Sequence, residues 1–478
     1  MSLKEKTFNG VVWSSIDRFS SQGIQFIFSI LIARILLPSD YGTVAMLNIF
    51  LAISQTFIDS GFGTALIRKP DRTETDCSTV FYFNIAVALA FYCILWLTSP
   101  LIASFYDIPL LKDITRVISL TLVFGSLSGV HGTRLAIEID FRTKAIISII
   151  VALVTGAVGL WMAYAGYGVW ALAVQAVTSS FLRTVLLWIF VRWMPQLVFS
   201  MKSFREMFSF GSKMLASALL DTAYNNLYTL VIGKFFSSSA LGVYSRADSL
   251  AQYPSSNITG VLQGVTFPVL SSIQNEPERL AGAYRRVLKM AAFIVFPLMT
   301  GLSAVADPLI RIVLTDKWEG AIYLLQIICF AMMWYPVHAI NLNLLQVEGR
   351  SDFFLKLEVI KKIQGVIVLC ITIPLGLVAM CYGKIVSSLL CLIYNTYYTR
   401  RLIGYGIGAQ MKDLLPILAH TLVMWAIVLI IVHVLPSLWL QLTVGVAVGA
   451  VYYLVGARLM RFEELDEMIA LLRRRKDK

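Results

Sequence analysis

Five polar residues fall on one face of the first apolar stretch. Ser14, Arg18, Ser21, Gln25 and Ser29 follow one another at steps of four, three, four and four. That spacing stacks side chains on one side of a helix. Asp17 lies beside the stripe. Two hundred residues on, Lys213, Ser217, Asp221, Asn225 and Tyr228 repeat it at steps of four, four, four and three. Shifted by 200, Asp221 overlays Ser21 and Asn225 overlays Gln25. Arg246 and Asp248 follow in the next stretch, and Asp59 closes the second. Side chains of these types bind: they exchange hydrogen bonds and hold charge. A charge at membrane depth costs at least a few kcal/mol, so it faces protein or water. Two readings stay open for the first stripe. Either it lines a water-filled cavity, or Asp17 and Arg18 form a neutralised pair near the helix end, within snorkelling reach of the interface. Neighbours on a helix point apart, which weakens the second reading. Asp59 is equally a buried functional carboxylate or a solvated helix end.

Bond-breaking chemistry is not indicated. There is no Gly-rich phosphate loop with Lys-Ser/Thr, no Gly-x-Ser-x-Gly and no His-Glu-x-x-His. The six cysteines are scattered in or beside apolar spans, without a Cys-x-x-Cys pair or a nearby histidine, and read as packing residues. No catalytic residue, cofactor or metal site is expected. A lone His131 at a helix end reads as structural.

The elements that must position the stripes are membrane helices. The chain is 58% hydrophobic and 14% charged, with a mean hydropathy of +0.75. Soluble domains hold about 45–50% apolar and about 25% charged residues. The apolar stretches are long and do not alternate, so helices are expected and not barrel strands. The fold class is an all-α integral membrane protein of about fourteen spans between residues 10 and 457. The net charge of +12 is accounted for by the loops. Of 40 Lys and Arg, thirty fall at the N-terminus, in the even-numbered loops and in the tail. Seven (Arg34, Lys112, Arg116, Lys234, Arg311, Lys317 and Lys384) fall in the odd-numbered loops. This bias places both termini in the cytoplasm. No nucleic-acid partner is needed. The first apolar run is too long, and lacks the small-x-small site, for a cleaved signal.

One stretch organises the rest. Leu31 to Gly42 closes the first span and opens the second, with Pro38-Ser39-Asp40 at the break. Val231 to Gly242 echoes it, Lys234 standing for Arg34, Ser239 for Ser39 and Gly242 for Gly42. Weaker echoes follow at Gly166-Tyr-Gly168 and Cys381-Tyr-Gly383. The expected organisation is therefore two pseudo-symmetric six-helix lobes, 1–194 and 195–403, two further spans in 404–460, and a cytoplasmic amphipathic tail, 461–478. In the tail Phe462, Leu465, Met468 and Ile469 share an apolar face expected to lie on the membrane surface. Ala152, Gly156, Ala157 and Gly159 suit close helix packing. Trp318, in an external loop, is expected at the interface.

The stretch Leu31-Ile-Ala-Arg34-Ile-Leu-Leu-Pro38-Ser-Asp40-Tyr41-Gly42 resembles the first-loop signature of Wzx-type and colanic-acid-exporter-like polysaccharide flippases. Leu241-Gly-Val-Tyr-Ser-Arg246-Ala, Gly349-Arg350-Ser-Asp352 and the Lys317-Trp318 loop carry the same likeness, which covers about residues 8–400. The resemblance implies the multidrug/oligosaccharidyl-lipid/polysaccharide exporter superfamily. It further implies a central cavity, alternating access, and an undecaprenyl-diphosphate-linked oligosaccharide carried from the cytoplasmic to the periplasmic leaflet of the bacterial inner membrane. On that footing Arg18 and Arg246, with Lys213 at the cytoplasmic mouth, are candidates for the anionic diphosphate. Ser21, Gln25, Tyr224, Asn225 and Tyr228 are candidates for sugar hydroxyls. Asp17, Asp59, Asp221 and Asp248 are candidates for ion coupling or for counter-ions to the arginines. Partners implied are the lipid-linked substrate, membrane lipids and other glycan-assembly membrane proteins. A drug extruder of the same superfamily, a lipid II flippase and a membrane glycan polymerase are the competing readings.

Overall fold

Hydrocarbon supplies no hydrogen-bond partners, so a chain that crosses it satisfies its backbone internally. The computed structural model accordingly holds helices and, among the described residues, no strand. It describes residues 3–59 and 61–474; for 3–12, 14, 15, 18, 210, 213, 265, 351 and 471–474 the description stops at the backbone. The chain divides into two compact units, Met1–Gly242 and Val243–Lys478.

The first unit holds α1 (Leu3–Ile35), α2 (Pro38–Asp59), α3 (Phe62–Arg68), α4 (Glu74–Tyr106), α5 (Leu111–Ile118) and α6 (Leu120–Ile137). It continues through α7 (Phe141–Tyr164), α8 (Val169–Val191), α9 (Met201–Asn225) and α10 (Leu227–Phe235). α11 (Ser238–Ser272) starts in the first unit and runs into the second. The second unit adds α12 (Pro277–Ala304), α13 (Ala306–Leu314), α14 (Gly320–Met332), α15 (Tyr335–Val347) and α16 (Ser351–Thr372). It ends with α17 (Leu377–Ile403), α18 (Ile407–Val434), α19 (Leu438–Leu459) and α20 (Glu463–Arg474).

Among the described residues, ten helical segments are long and apolar enough to cross a membrane, and Phe19–Ile35 is a shorter apolar helix. The expected spans outside those ten lie in α1, α9–α10, α11 and α16. These carry the polar stripes and basic residues, which dilute their apolarity. Length and composition thus establish ten spans among the described residues; the figure of fourteen rests on the apolar stretches of the sequence together with the loop charge.

Local chemistry explains the boundaries. Thr73 and Asp76 form a reciprocal capping box at the start of α4, at 3.2 and 2.9 Å. Gly166 and Gly168 take φ of 81° and 56° in the turn from α7 to α8, a region that glycine enters at no steric cost. The small residues of α7 do admit close packing: the Phe28 ring of α1 occupies the place a side chain on Gly156 would take.

The tail forms the expected helix but seats it differently. Leu465 is buried, Phe462 lies 6.0 Å from the Phe293 ring and 5.7 Å from His420, and Met468 lines a cavity in the same unit. The apolar face is thus turned onto protein. Ion pairs hold it there: Lys289 of α12 meets Glu464 at 2.6 Å and Glu463 at 3.3 Å, and Arg286 meets Glu467 at 3.0 Å. Glu464 is buried, and breaking a buried pair from one side is costly. Lys289→Glu is therefore expected to destabilise the docked tail by about 2–3 kcal/mol. Adding Glu464→Lys restores it, read by protease protection of the tail. Cleavage unchanged in the single variant contradicts the clamp.

Candidate functional site

In the first unit the polar groups pair along helices and then between them. Asp17 accepts the Ser21 hydroxyl at 3.0 Å, one turn on. Ser21 is buried and Gln25 exposed. On α2 the Gln55 amide donates to Asp59 at 2.9 Å. The hydroxyls of Thr56 and Thr222 meet at 3.0 Å and tie α2 to α9, which sets Asp59 and Asp221 on neighbouring helices. Asp221 and Asn225 are exposed on α9, and Tyr224 and Tyr228 are half-buried. The side chains of Arg18 and Lys213 lie outside the described residues.

In the second unit a cluster forms about two turns into α11 and α17. The Arg246 guanidinium lies 5.3 Å from the centre of the Trp318 ring. Asp248 accepts from Lys384 at 2.5 Å, and the Lys384 ammonium lies 4.8 Å from the Tyr244 ring. The aromatic faces offset part of the desolvation of both cations. Two expectations change here. Lys384 is no loop residue: it sits two turns inside α17 as the partner of Asp248. Trp318 is fully buried, in a 3-10 turn, where an interfacial position was expected. By contrast Arg311 is answered three times, by Asp307 at 2.8 Å, Asp316 at 2.7 Å and Glu319 at 2.9 Å. It has no charge left to offer a ligand.

Sequence reasoning missed a buried polar network. Asn341 of α15 accepts from Thr399 at 2.6 Å and from Gln410 at 3.2 Å. Gln410 also donates to the Tyr405 carbonyl at 3.3 Å. The Tyr405 hydroxyl and the Arg285 guanidinium both donate to Asp413. The His338 ring joins Ser388 at 2.9 Å and Asn395 at 3.2 Å. Such a network fixes α12, α15, α17 and α18 in one register. His131 is likewise structural: its Nε2 meets the Trp193 carbonyl at 3.1 Å, stacked on Trp188.

In the second unit a cavity of about 660 Å³ opens between α12, α18 and α19, with Met468 also in its lining. Phe293, Leu298, Met424, Val446 and Leu454 line it, so its surface is hydrocarbon. Among the described residues no group of His, Cys, Asp and Glu is placed to hold a metal ion.

At the start of α16, ahead of its apolar stretch, Arg350 clasps Asp352 through two hydrogen bonds of 3.0 and 2.9 Å. The guanidinium holds the Asp352 carboxyl down at about 2. A carboxyl depressed in the fold contributes stability above its ordinary pKa, lost only as pH falls towards the depressed value. Asp352→Asn is therefore expected to shift thermal stability equally at pH 5.5 and pH 8. A shift confined to the higher pH contradicts the clasp.

Known proteins bear on this geometry. The chain is 26% identical over 356 residues to the teichuronic acid biosynthesis protein TuaB of Bacillus subtilis (strain 168), covering 73% of each. It is 25% identical over 402 residues to the lipopolysaccharide biosynthesis protein WzxC of Escherichia coli (strain K12), covering 83% of this chain and 80% of that one. Among solved structures, the lipid II flippase MurJ in an inward closed conformation superposes with a TM-score of 0.76 at 15% identity, over 94% of this chain and 99% of that one. That likeness shows the fold. The family described as polysaccharide biosynthesis protein matches residues 31–323, more than half the chain, and the chain belongs to that family.

Proposed function

We propose that the protein carries an oligosaccharide on a polyprenyl diphosphate from the cytoplasmic to the outer leaflet of the bacterial inner membrane, by alternating access, with both termini in the cytoplasm. The observation that carries the reading is the Arg246–Trp318 contact beside the Lys384–Asp248 pair. A diphosphate needs cations where water is scarce, and guanidinium suits phosphate geometry. The stripe residues Ser21, Gln25, Tyr224, Asn225 and Tyr228 supply hydroxyls and amides for sugars. Asp17 and Asp59 already hold intrahelical hydrogen bonds, which favours a positioning role over ion coupling. The hydrocarbon cavity between α12, α18 and α19 suits a prenyl chain, which no sugar site would hold. The six-helix repeats, 1–194 and 195–403, supply the moving elements. No step makes or breaks a bond in the glycan.

The test is genetic. Deleting the gene should leave lipid-linked repeat units unexported and surface glycan lost, with drug tolerance unchanged. Intact surface glycan together with altered drug tolerance would favour a drug extruder and overturn the reading.

A further inference from the structure

The stretches Leu31–Gly42 and Val231–Gly242 have so far no task. The structure gives them one. A Cβ on Gly42 would collide with the backbone carbonyl of Ser238 and stand 2.9 Å from the Gly242 nitrogen. A Cβ on Gly242 would collide with the carbonyl of Pro38 and stand 3.1 Å from the Gly42 nitrogen. Pro38 and Ser238 begin their helices, and each glycine follows four residues on. The contact is thus reciprocal: residue 42 meets the echo of residue 38, and residue 38 meets the echo of residue 42. Small residues at four-residue spacing let two helix backbones touch. Here the groups that would have to yield are backbone on both sides, so no side chain can swing away.

The rest of the echo docks on the same surface. α10 packs on α2 and α4. A Cβ on Gly233 would lie 3.0 Å from Tyr106 and 3.1 Å from Met46. Lys234 donates to the Phe105 carbonyl at 2.6 Å. α10 lies between two helix breaks, at Asn226 and at Phe236–Ser237, and Gly242 follows five residues past the second. All of these residues belong to the first unit.

We propose that residues 227–242 are a latch, sealed by the Gly42–Gly242 contact and capped by Lys234, that closes the outer end of the transport path. Opening the path to the outside undocks α10 at its two breaks and parts the Gly42–Gly242 contact. The location outside rests on the orientation proposed above; the latch does not. Neither glycine has a left-handed φ, so alanine at either suits the helix itself. What alanine cannot do is keep the contact.

The experiment places spin labels at the exposed residues Leu37 and Phe235, in full-length protein with the native cysteines replaced, and measures their distance distribution by pulsed electron resonance. Gly42→Ala and Gly242→Ala are each expected to shift the ratio of short to long distances by about tenfold or more towards long. Lys234→Ala, which adds no bulk, is expected to shift it the same way by less. Gly264→Ala, where a Cβ meets nothing within 4 Å, is expected to leave it alone. A distribution unchanged in Gly42→Ala and in Lys234→Ala overturns the latch, as does an equal shift in Gly264→Ala. The distances report the latch whatever the cargo. A shift without any effect on glycan export would count against the proposed function and leave the latch standing.

Discussion

Arg246→Ala is expected to lower glycan export by about tenfold to a hundredfold without changing the amount of protein in the membrane. Hydrogen bonds to charged groups contribute about 1.5–3 kcal/mol each, and about 1.4 kcal/mol is a factor of ten. Arg246 stands on the face of a buried tryptophan, a seat that holds the guanidinium in one direction. Arg246→Lys keeps the charge but loses the planar fork, so an intermediate rate is expected. Asp248 and Lys384 pair at 2.5 Å nearby. Surface glycan per cell, normalised to membrane protein, measures the effect. Wild-type export in Arg246→Ala contradicts the cationic site.

Trp318→Ala is expected to cost about 3–5 kcal/mol of stability, the range for truncating a buried aromatic. Trp318 is wholly inaccessible and, among the described residues, is the largest side chain so buried. It sits in a short turn, Asp316–Trp318, between α13 and α14. Its loss opens a void there and takes away the ring under Arg246. The change is read as the thermal midpoint of purified protein in detergent. Trp318→Phe fills part of the void and is expected to recover about half of the loss. An unchanged midpoint in Trp318→Ala contradicts the packing.

The helical fold was legible because apolar runs of this length have one solution in lipid. The number of spans was less so. The helices that carry Ser21, Asp221 and Arg246 are among those whose apolarity falls short, because hydroxyls and charges replace hydrocarbon along them. The repeat was legible in Gly42 and Gly242, although a sequence shows only that glycine recurs, not that each one's Cβ is forbidden by the other's helix. Trp318 illustrates the converse error. Tryptophan near a loop is usually interfacial, and nothing local marked this one as core. The Lys384–Asp248 pair and the Asn341–Thr399–Gln410 network join residues far apart in the chain, and no spacing rule reaches that far.

A flippase moves a lipid-linked glycan and leaves it chemically unchanged. Purified protein in sealed vesicles, with a fluorescent polyprenyl-diphosphate oligosaccharide in one leaflet, measures that directly through a quencher confined to the other side. The expected result is transfer faster than in protein-free vesicles, slowed by Arg246→Ala, with the oligosaccharide recovered at its original length. Transfer no faster than in protein-free vesicles, or a glycan recovered longer or shorter, would contradict it.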